Sequence, residues 1–261
     1  MEIMTIRSGS SANCILIKNK GYGVLIDCGV GIRTLNASLK AAGLDASKIA
    51  AIFVTHEHSD HVKGLETVLK YAPIPVFGNE ATLNAMRCNF MMDDKRFTVL
   101  PTGASAACPD LKITSFRTPH DSAESVGYTV TDGVKKFSVA TDMGMMTREV
   151  GEAIVGSDAV VLESNYDEYM LRNGIYPPYL KSRILSRTGH LSNDDCAKFA
   201  PLLVQHGTKR IILGHLSQNN NTPEIALSVT KKALENKGIE IGKDVMLSAA
   251  SRIDASPIYE V

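Results

Sequence analysis

The sequence predicts an α/β fold in which two mixed β-sheets pack face to face and helices flank both outer surfaces, as a four-layer αββα sandwich. The chain has 261 residues, of which 44% are hydrophobic and 21% charged, so it is long and apolar enough to bury a full core. Strand-like and helix-like runs alternate in two successive stretches of similar size. Two such stretches predict two sheets, each covered by its own helices, because a sheet must bury a face against another layer.

The first stretch supplies the elements of the first sheet. Short β-branched and aromatic runs are separated by Gly-Ser-Ser-Ala-Asn and Gly-Tyr-Gly turns. We predict strands over residues 3–7, 14–18, 24–27, 50–54 and 73–77. Between these strands, apolar residues recur at helical spacing. We predict helices over residues 32–42, 61–71 and 79–87.

The second stretch repeats this alternation and supplies the second sheet. We predict its strands over residues 97–100, 111–117, 126–130, 137–140, 159–162, 210–213 and 245–247. We predict its helices over residues 192–204 and 223–236. Because no low-complexity segment, internal repeat or linker interrupts the chain, we expect a single domain over residues 1–261.

The bulk composition limits the location and the partners. The net charge is zero, so any attraction to nucleic acid or membrane must be local. The five cysteines are odd in number, widely spread and without a C-x-x-C pair, which is typical of a reducing compartment. The N-terminus lacks the features of a signal peptide, and no apolar run is long enough to span a bilayer. We therefore expect a cytoplasmic protein with no membrane partner.

Residues 56–61 read His-Glu-His-Ser-Asp-His and follow the apolar run of residues 50–54 after a single threonine. The run is short, β-branched and aromatic, as expected of a buried strand, so the cluster lies where a core strand ends. A single histidine is more often a core or surface residue than a ligand. Three imidazoles and an aspartate so close together are instead typical of a site for zinc, iron or manganese.

Three further residues of ligand type follow predicted core strands. They are His120, Asp142 and His215. Each alone could be a capping aspartate or a loop histidine. Because sites on sheets form where strands end, we expect these side chains to join the hexapeptide. Together they make seven ligands, enough for two metal ions with an aspartate between them.

The order of these motifs resembles the metallo-β-lactamase superfamily: His-x-His-x-Asp-His, then a histidine, an aspartate and a histidine, each after a strand. The resemblance covers nearly the whole chain, from Ser8-Gly-Ser-Ser through Asp27 to His215. It implies an αββα sandwich with a dinuclear metal site at one edge of the paired sheets.

The resemblance also implies a role for each ligand. The first metal ion would be held by His56, His58 and His120. The second would be held by Asp60, His61 and His215, and Asp142 would bridge the two. Asp27 would orient a ligand histidine, whereas Glu57 occupies a variable position of the family and would not be a ligand.

The residue at position 142 bears on the substrate. Aspartate there, in place of cysteine or serine, makes a more anionic site that tolerates iron and manganese as well as zinc. Two neighbouring cations generate hydroxide at neutral pH and clamp both oxygens of an in-line displacement, which favours phosphodiesters. Enzymes with this fold also hydrolyse thioesters and lactones, so the fold alone does not determine the substrate.

A basic segment over residues 170–193 favours a nucleic-acid substrate. It contains no acidic residue, and its cations are interleaved with tyrosines. In a chain of zero net charge this pattern indicates a footprint for a phosphate backbone, with a solvated helix face as the alternative. The segment ends where a helix begins, and a helix N-terminus is a ready phosphate site. The predicted substrate-binding residues are Arg183, Arg187, His190, Ser192 and Asn193.

Segments around this region narrow the resemblance to the YycJ/WalJ-type group of the superfamily. They are the Leu-Glu-Ser-Asn-Tyr stretch from Leu162, Gly-His-Leu-Ser-Asn over 189–193 and Leu-Gly-His-Leu-Ser-Gln over 213–218. That group is bacterial and cytoplasmic, and is associated with 5′-to-3′ exonuclease action on double-stranded DNA. Ala12 and Tyr166 depart from its usual glycine and histidine. Only 72 residues separate Asp142 from His215, so the inserted β-CASP domain of larger nucleases is absent.

The expected function is therefore that of a dinuclear metal-dependent hydrolase, a phosphodiesterase or exonuclease acting on DNA by attack of a hydroxide held between the metal ions. Asp60 and His190 are the candidate catalytic residues, and His190 would donate a proton or hydrogen bond to the leaving oxygen. A phosphodiesterase for cyclic or short nucleotides is the main alternative, and it would have a closed pocket. A thioester or lactone hydrolase and a metal-binding module without turnover are less favoured.

Overall fold

The computed structural model describes the backbone of residues 1–90 and 94–261. Within these residues it contains two seven-stranded mixed sheets flanked by helices, so the predicted α/β sandwich is confirmed. The first sheet contains β1 (Glu2–Arg7), β2 (Cys14–Asn19), β3 (Tyr22–Ile26), β4 (Ile49–Phe53), β5 (Val76–Gly78), β6 (Phe97–Val99) and, from the C-terminus, β14 (Tyr259–Glu260). The second contains β7 (Ser105–Cys108), β8 (Leu111–Arg117), β9 (Val126–Thr131), β10 (Lys136–Ala140), β11 (Ala159–Glu163), β12 (Arg210–Gly214) and β13 (Met246–Ala249).

The helices lie mainly between parallel strands. They are α1 (Ile32–Ala41), α2 (Ser59–Val62), α3 (Leu65–Tyr71), α4 (Glu80–Phe90), α5 (Arg148–Ile154), α6 (Glu168–Asn173), α7 (Pro178–Ile184), α8 (Asn193–Gln205) and α9 (Pro223–Glu235). Two short 3₁₀ turns cover Ala46–Lys48 and Asp94–Arg96.

Both sheets follow the same plan. In the order β14-β1-β2-β3-β4-β5-β6, the pairings up to β3 are antiparallel and those from β3 onward are parallel. In the order β7-β8-β9-β10-β11-β12-β13, the change from antiparallel to parallel comes at β10. Parallel neighbours need a crossover connection, and this is why helices follow β3, β4, β5, β10, β11 and β12.

Alternating strand residues build three apolar layers. In β11, Ala159 and Val161 face the layer between the sheets, whereas Val160 and Leu162 face the layer under the outer helices. The layer between the sheets contains Phe53, stacked on Phe77 with ring centroids 5.0 Å apart. The third apolar layer lies between the first sheet and its helices, including α1 and α3. Four layers of secondary structure therefore enclose three layers of core.

The strand directions bring several strand ends to one edge of the molecule. The strands β3 and β4 are parallel, and so are β10, β11 and β12. The strand β8 runs in the same direction as β10 because both pair antiparallel with β9. The segments that follow these six strands carry the polar side chains of the site.

The predicted helix over residues 61–71 is wrong as a single element. The structure has two helices, α2 and α3, with Gly64 between them. The chain passes so close to the β3–α1 loop at Gly64 that a Cβ there would lie 1.9 Å from the carbonyl oxygen of Val30. The backbone N–H of Gly64 instead donates to the carbonyl oxygen of Cys28. This contact interrupts the helical pattern.

The strand over residues 97–100 was wrongly assigned to the second sheet: it is β6, at the edge of the first sheet, because it pairs with β5. Several other short elements were not predicted. They are β7, β14, α5, α6 and α7. Each has seven residues or fewer, too few for hydrophobic periodicity to identify. Among the described residues, no helix combines the length and the apolar character needed to cross a membrane.

Candidate metal centre

The first group of candidate ligands combines three histidines from both sheets. His56 and His58 follow β4, and His120 follows β8. The Nε2 atom of His56 lies 3.0 Å from Nδ1 of His58. One nitrogen from each of the three rings lies within 4.8 Å of the other two. This spacing suits three nitrogen ligands around one cation.

The second group combines a carboxylate with two histidines. The Nε2 atom of His61 lies 3.2 Å from Oδ2 of Asp60, and Nε2 of His215 lies 3.6 Å from the same oxygen. His61 is at the end of α2, and His215 directly follows β12. The three ligand atoms again lie within 4.8 Å of one another.

Asp142 lies between the two groups. One carboxylate oxygen is 3.5 Å from Nε2 of His61, and the other is 3.8 Å from Nε2 of His120. The second oxygen is also 3.4 Å from Nδ1 of His215. The structure thus brings all seven predicted ligands together, and Asp142 contacts members of both groups.

The backbone is strained where three of these strands end. Asp27, Asp142 and His215 have φ angles of 60°, 57° and 54°, in the left-handed region that non-glycine residues rarely adopt. Such a conformation costs about 1–3 kcal/mol and persists only where the surrounding structure imposes it. All three residues belong to the polar cluster, so the strain accompanies the turn that brings each side chain into the site.

The remaining ring nitrogens of the histidines are held by neighbouring groups. Nδ1 of His61 lies 2.7 Å from Oδ2 of Asp27, which also accepts a hydrogen bond from Thr55. Nδ1 of His120 lies 2.9 Å from the carbonyl oxygen of Gly189. An N–H donated in this way fixes the tautomer and leaves the other nitrogen for a metal ion.

Burial and neighbouring charges raise the pKa values of some groups in the cluster and lower those of others. Burial, together with nearby histidines, lowers the pKa of His56 well below its usual range. Burial acts to lower the pKa of His215 as well, but the carboxylates of Asp142 and Asp60 outweigh it and raise that pKa to about 10. Burial acts to raise the pKa of Asp142, but His215 and His61 hold it well below its usual range. The buried carboxylate is therefore anionic, and it attracts positive charge.

The donor set fits divalent metal ions. Within the described part of the chain, Nε2 of His120, Oδ2 of Asp142 and Nε2 of His215 are buried without a hydrogen-bond partner. Buried polar atoms are normally paired, so unpaired ligand atoms in both groups and on Asp142 fit bound cations. Imidazole nitrogen and carboxylate oxygen are ligands of zinc, iron and manganese. The cluster is a site for divalent metal.

Glu163 belongs to the centre, although no role was predicted for it from the sequence. It is the last residue of β11 and is fully buried. Its Oε1 atom lies 2.8 Å from Nδ1 of His190 and 3.0 Å from Nδ1 of His215. Its other oxygen accepts from the backbone N–H of Met143 at 2.8 Å. The sequence signal that could have identified Glu163 is a ligand-type residue at the end of an apolar strand, the same signal that identified Asp142.

Asn13 was also missed. Its side-chain amide donates to Oδ2 of Asp60 at 3.0 Å and lies 3.0 Å from Nε2 of His61. The loop that carries it packs tightly on α2, because the Asn13 backbone N–H donates to the carbonyl oxygen of Asp60. A Cβ on the nearby Gly29 would lie 1.7 Å from that carbonyl oxygen. In the sequence, only the polar Gly-Ser-Ser-Ala-Asn turn pointed to this loop.

The predicted substrate-binding residues fall into two classes. Arg183 and Arg187 are exposed on α7 and the loop after it, and the Arg183 guanidinium pairs with Asp121, next to His120. Ser192 and Asn193 are buried instead. The Ser192 hydroxyl caps α8 by accepting from the Asp195 N–H, and the Asn193 amide donates to the Asn221 side chain. Their contribution to substrate binding stays a prediction.

The chain is similar to known proteins both in sequence and in fold. Residues 22–216 match the model of the β-lactamase superfamily domain. The chain is 35% identical to exodeoxyribonuclease YycJ of Bacillus anthracis over 245 residues, which cover 93% of this chain and 92% of that protein. It is 30% identical to exodeoxyribonuclease WalJ of Streptococcus pneumoniae serotype 2 over 98% of this chain and 96% of that one. The metallo-β-lactamase fold protein YhfI from Bacillus subtilis superimposes with a TM-score of 0.75 over 99% of both chains, at 16% identity, which shows the fold alone.

Proposed function

Because the chain belongs to the β-lactamase superfamily, in the group that contains the YycJ and WalJ exodeoxyribonucleases, we propose that it is a metal-dependent phosphodiesterase that degrades DNA. The observation that carries this proposal is the convergence of seven histidine and aspartate side chains from both sheets at one edge. An exposed basic and aromatic segment lies beside them, which matches a polyanionic substrate.

Two divalent metal ions, of zinc, manganese or iron, fit the two ligand groups. The first ion would be held by His56, His58 and His120, and the second by Asp60, His61 and His215. Asp142 would contact both ions. Bound in this way, the ions would supply Lewis acidity toward the phosphoryl oxygens and lower the pKa of a coordinated water.

His190 is the proposed proton donor to the leaving oxygen. The Glu163 carboxylate contacts Nδ1 of His190 at 2.8 Å, and among the described residues Nε2 of His190 makes no hydrogen bond. The carboxylate orients the ring, which leaves Nε2 to donate toward the substrate. Glu163 also contacts Nδ1 of His215, so it acts as a positioning residue for both histidines.

Asp60 is the second proposed catalytic residue. Its side chain is 19% exposed, so it is reachable from solvent, and it faces His61 and His215. Its carboxylate accepts from the Asn13 amide at 3.0 Å, and this contact fixes its orientation. A fixed, partly accessible carboxylate at this point can hold the attacking water as well as a metal ion.

The arm formed by α6, α7 and their connection is the proposed DNA-binding surface. Tyr169, Ile175 and Tyr179 are 76%, 88% and 76% exposed, unusually high for such side chains. Bases stack on exposed aromatic rings regardless of sequence, and Arg183 and Arg187 would contact the phosphates. We propose that Ser192 and Asn193 contribute to binding by holding the loop that carries His190.

We include in the proposal the 5′-to-3′ direction and the cytoplasmic location that the family resemblance implies. All five cysteines are free, as a reducing compartment requires.

A panel of substrates tests the proposed function. The protein is loaded with manganese or with zinc and offered 5′-labelled duplex DNA, single-stranded DNA, RNA and bis-p-nitrophenyl phosphate. We expect release of labelled nucleotide from duplex DNA together with slower hydrolysis of the small ester. Hydrolysis of the small ester alone would reject DNA as the substrate and favour a phosphodiesterase for small molecules.

A further inference from the structure

A cavity of about 280 Å³ lies beside the metal centre. It is lined by the segment after β12, from Leu216, and by the segment after β13, from Ala250. The strands β12 and β13 are parallel, so both segments emerge at the edge that carries the metal ligands. Leu216 directly follows the ligand His215, which places one wall of the cavity next to the second ligand group.

Two serine hydroxyls in the cavity lining accept hydrogen bonds from the backbone and keep a proton that they can donate. The Ser217 hydroxyl accepts from the Asn220 backbone N–H at 3.3 Å. The Ser251 hydroxyl accepts from the backbone N–H groups of Ile253 and Asp254 at 3.2 and 3.0 Å. Among the described residues neither hydroxyl donates a hydrogen bond, so both protons are available to a ligand.

Arg252 supplies a positive charge without a partner. Its Nη1 atom is buried and has no hydrogen-bond acceptor, and the guanidinium makes no ion pair within the described part of the chain. Its aliphatic stem packs across Gly9, where a Cβ would lie 2.7 Å from Cγ of the arginine. Glycine at position 9 thus makes room for the stem. An unpaired buried donor is costly, and a bound anion would remove that cost.

We propose that this cavity binds a phosphate group of the nucleotide next to the scissile bond, with Arg252, Ser217 and Ser251 as donors. One guanidinium and two hydroxyls with no lining carboxylate form an anion site. The remaining lining residues, including Pro223, Ala249 and Ala250, offer apolar contacts to a sugar or base. In this proposal, a strand whose scissile phosphate lies at the metal centre places its neighbouring phosphate in the cavity, whose wall begins one residue after His215. This inference rests on the proposed function in taking DNA as the substrate.

The first test compares Arg252→Gln and Arg252→Lys with Lys40→Gln as a control. Lys40 is exposed in the last turn of α1, at the end of that helix far from the site edge. The Lys40→Gln substitution therefore removes one positive charge away from the site. For Arg252→Gln we expect a KM for 5′-phosphorylated duplex DNA about tenfold higher, since one charge-assisted contact is lost. The dependence of log(kcat/KM) on log salt should weaken by about one unit. Arg252→Lys should recover most of the affinity. In Arg252→Gln, kcat/KM should fall more for DNA than for bis-p-nitrophenyl phosphate, which has no neighbouring phosphate.

A second arm does not depend on DNA cleavage. A deoxynucleoside 5′-monophosphate should inhibit hydrolysis of the small ester, and its Ki should rise about tenfold in Arg252→Gln but not in Lys40→Gln. If wild-type protein shows this inhibition but cleaves no DNA, the proposed function is rejected and the proposed phosphate site is retained. DNA cleavage with identical KM and Ki values in Arg252→Gln and Lys40→Gln would overturn the cavity proposal alone. An equal loss of kcat on DNA and on the small ester would also overturn it, because that result indicates damage to the metal centre.

Discussion

At the scale of single residues, the site combines ligand chemistry with imposed backbone strain. Asp27, Asp142 and His215 adopt positive φ angles at the ends of three strands. The sequence predicted Asp142 and His215 because each is of ligand type and follows an apolar run, whereas Asp27 was predicted through the family resemblance. The sequence did not predict their backbone conformation or the hydrogen bond from Asn13 to Asp60, because both depend on contacts between loops far apart in the chain. Glu163 followed the same pattern as Asp142 and could have been found with it.

Asp27→Asn tests the contact that orients His61. Asparagine tolerates the φ angle of 60°, so the backbone should survive, but the anionic acceptor for Nδ1 of His61 is lost. We expect metal affinity to fall about 10–100-fold, measured by competition with a chelator of known affinity. Asp110→Asn is the matched control, because Asp110 has a φ angle of 56° in an exposed turn. Equal metal affinity in the two variants would show that Asp27 does not act through His61.

Glu163→Gln tests the carboxylate shared by His190 and His215. The change preserves shape but removes the anionic acceptor that orients His190, so kcat on DNA should fall about 100-fold or more. The kcat and the metal content are measured beside Glu168→Gln, which alters an exposed glutamate of α6. A kcat equal to that of Glu168→Gln would exclude Glu163 from the reaction.

At the scale of elements, the long strands and helices were predictable and the short ones were not. The strand β4 is a run of five apolar residues that leads into the hexapeptide, so both its place and its role follow from the sequence. The helices α6 and α7 have six and seven residues and form a small core of their own around Leu171 and Ile184. Such segments are stabilised by tertiary packing, which a local pattern does not reveal.

Tyr128→Phe tests how β9 supports the end of β4. The buried Tyr128 hydroxyl donates to the carbonyl oxygen of Val54 at 2.7 Å, two residues before His56. Its removal leaves a buried acceptor unpaired, which should lower the free energy of unfolding by about 1–3 kcal/mol. Urea denaturation measures the change, with the exposed Tyr169→Phe as the control. Equal unfolding midpoints would mean that water replaces the lost donor.

At the scale of the whole molecule, the ligands join the two sheets. His56, His58, Asp60 and His61 follow a strand of the first sheet, whereas His120, Asp142 and His215 follow strands of the second. The two-sheet architecture was predictable because each half of the sequence repeats the same alternation of elements. Which strand ends meet across the sheets could not be read from the chain, and it entered the sequence analysis through the family resemblance. The single domain over residues 1–261 stays a prediction.

Removal of metal should therefore loosen the contact between the sheets. A ligand present at about 1,000 times its Kd stabilises the folded state by about 4 kcal/mol, and about 2–4 °C of Tm corresponds to 1 kcal/mol in a chain of this size. We expect a chelator to lower Tm by about 10 °C in scanning calorimetry and added metal to restore it. An unchanged Tm would contradict a metal site that joins the two sheets.

We propose that one metal centre, shared by both sheets through Asp142, hydrolyses DNA. Release of nucleotides from 5′-labelled duplex DNA and bound metal per chain are measured together, in wild-type protein and in Asp142→Ala, before and after metal is removed and restored. We predict that wild-type protein loses activity on chelation and regains it with metal, whereas Asp142→Ala binds less metal and releases no nucleotide at any metal concentration. Full DNA hydrolysis by Asp142→Ala would contradict the account.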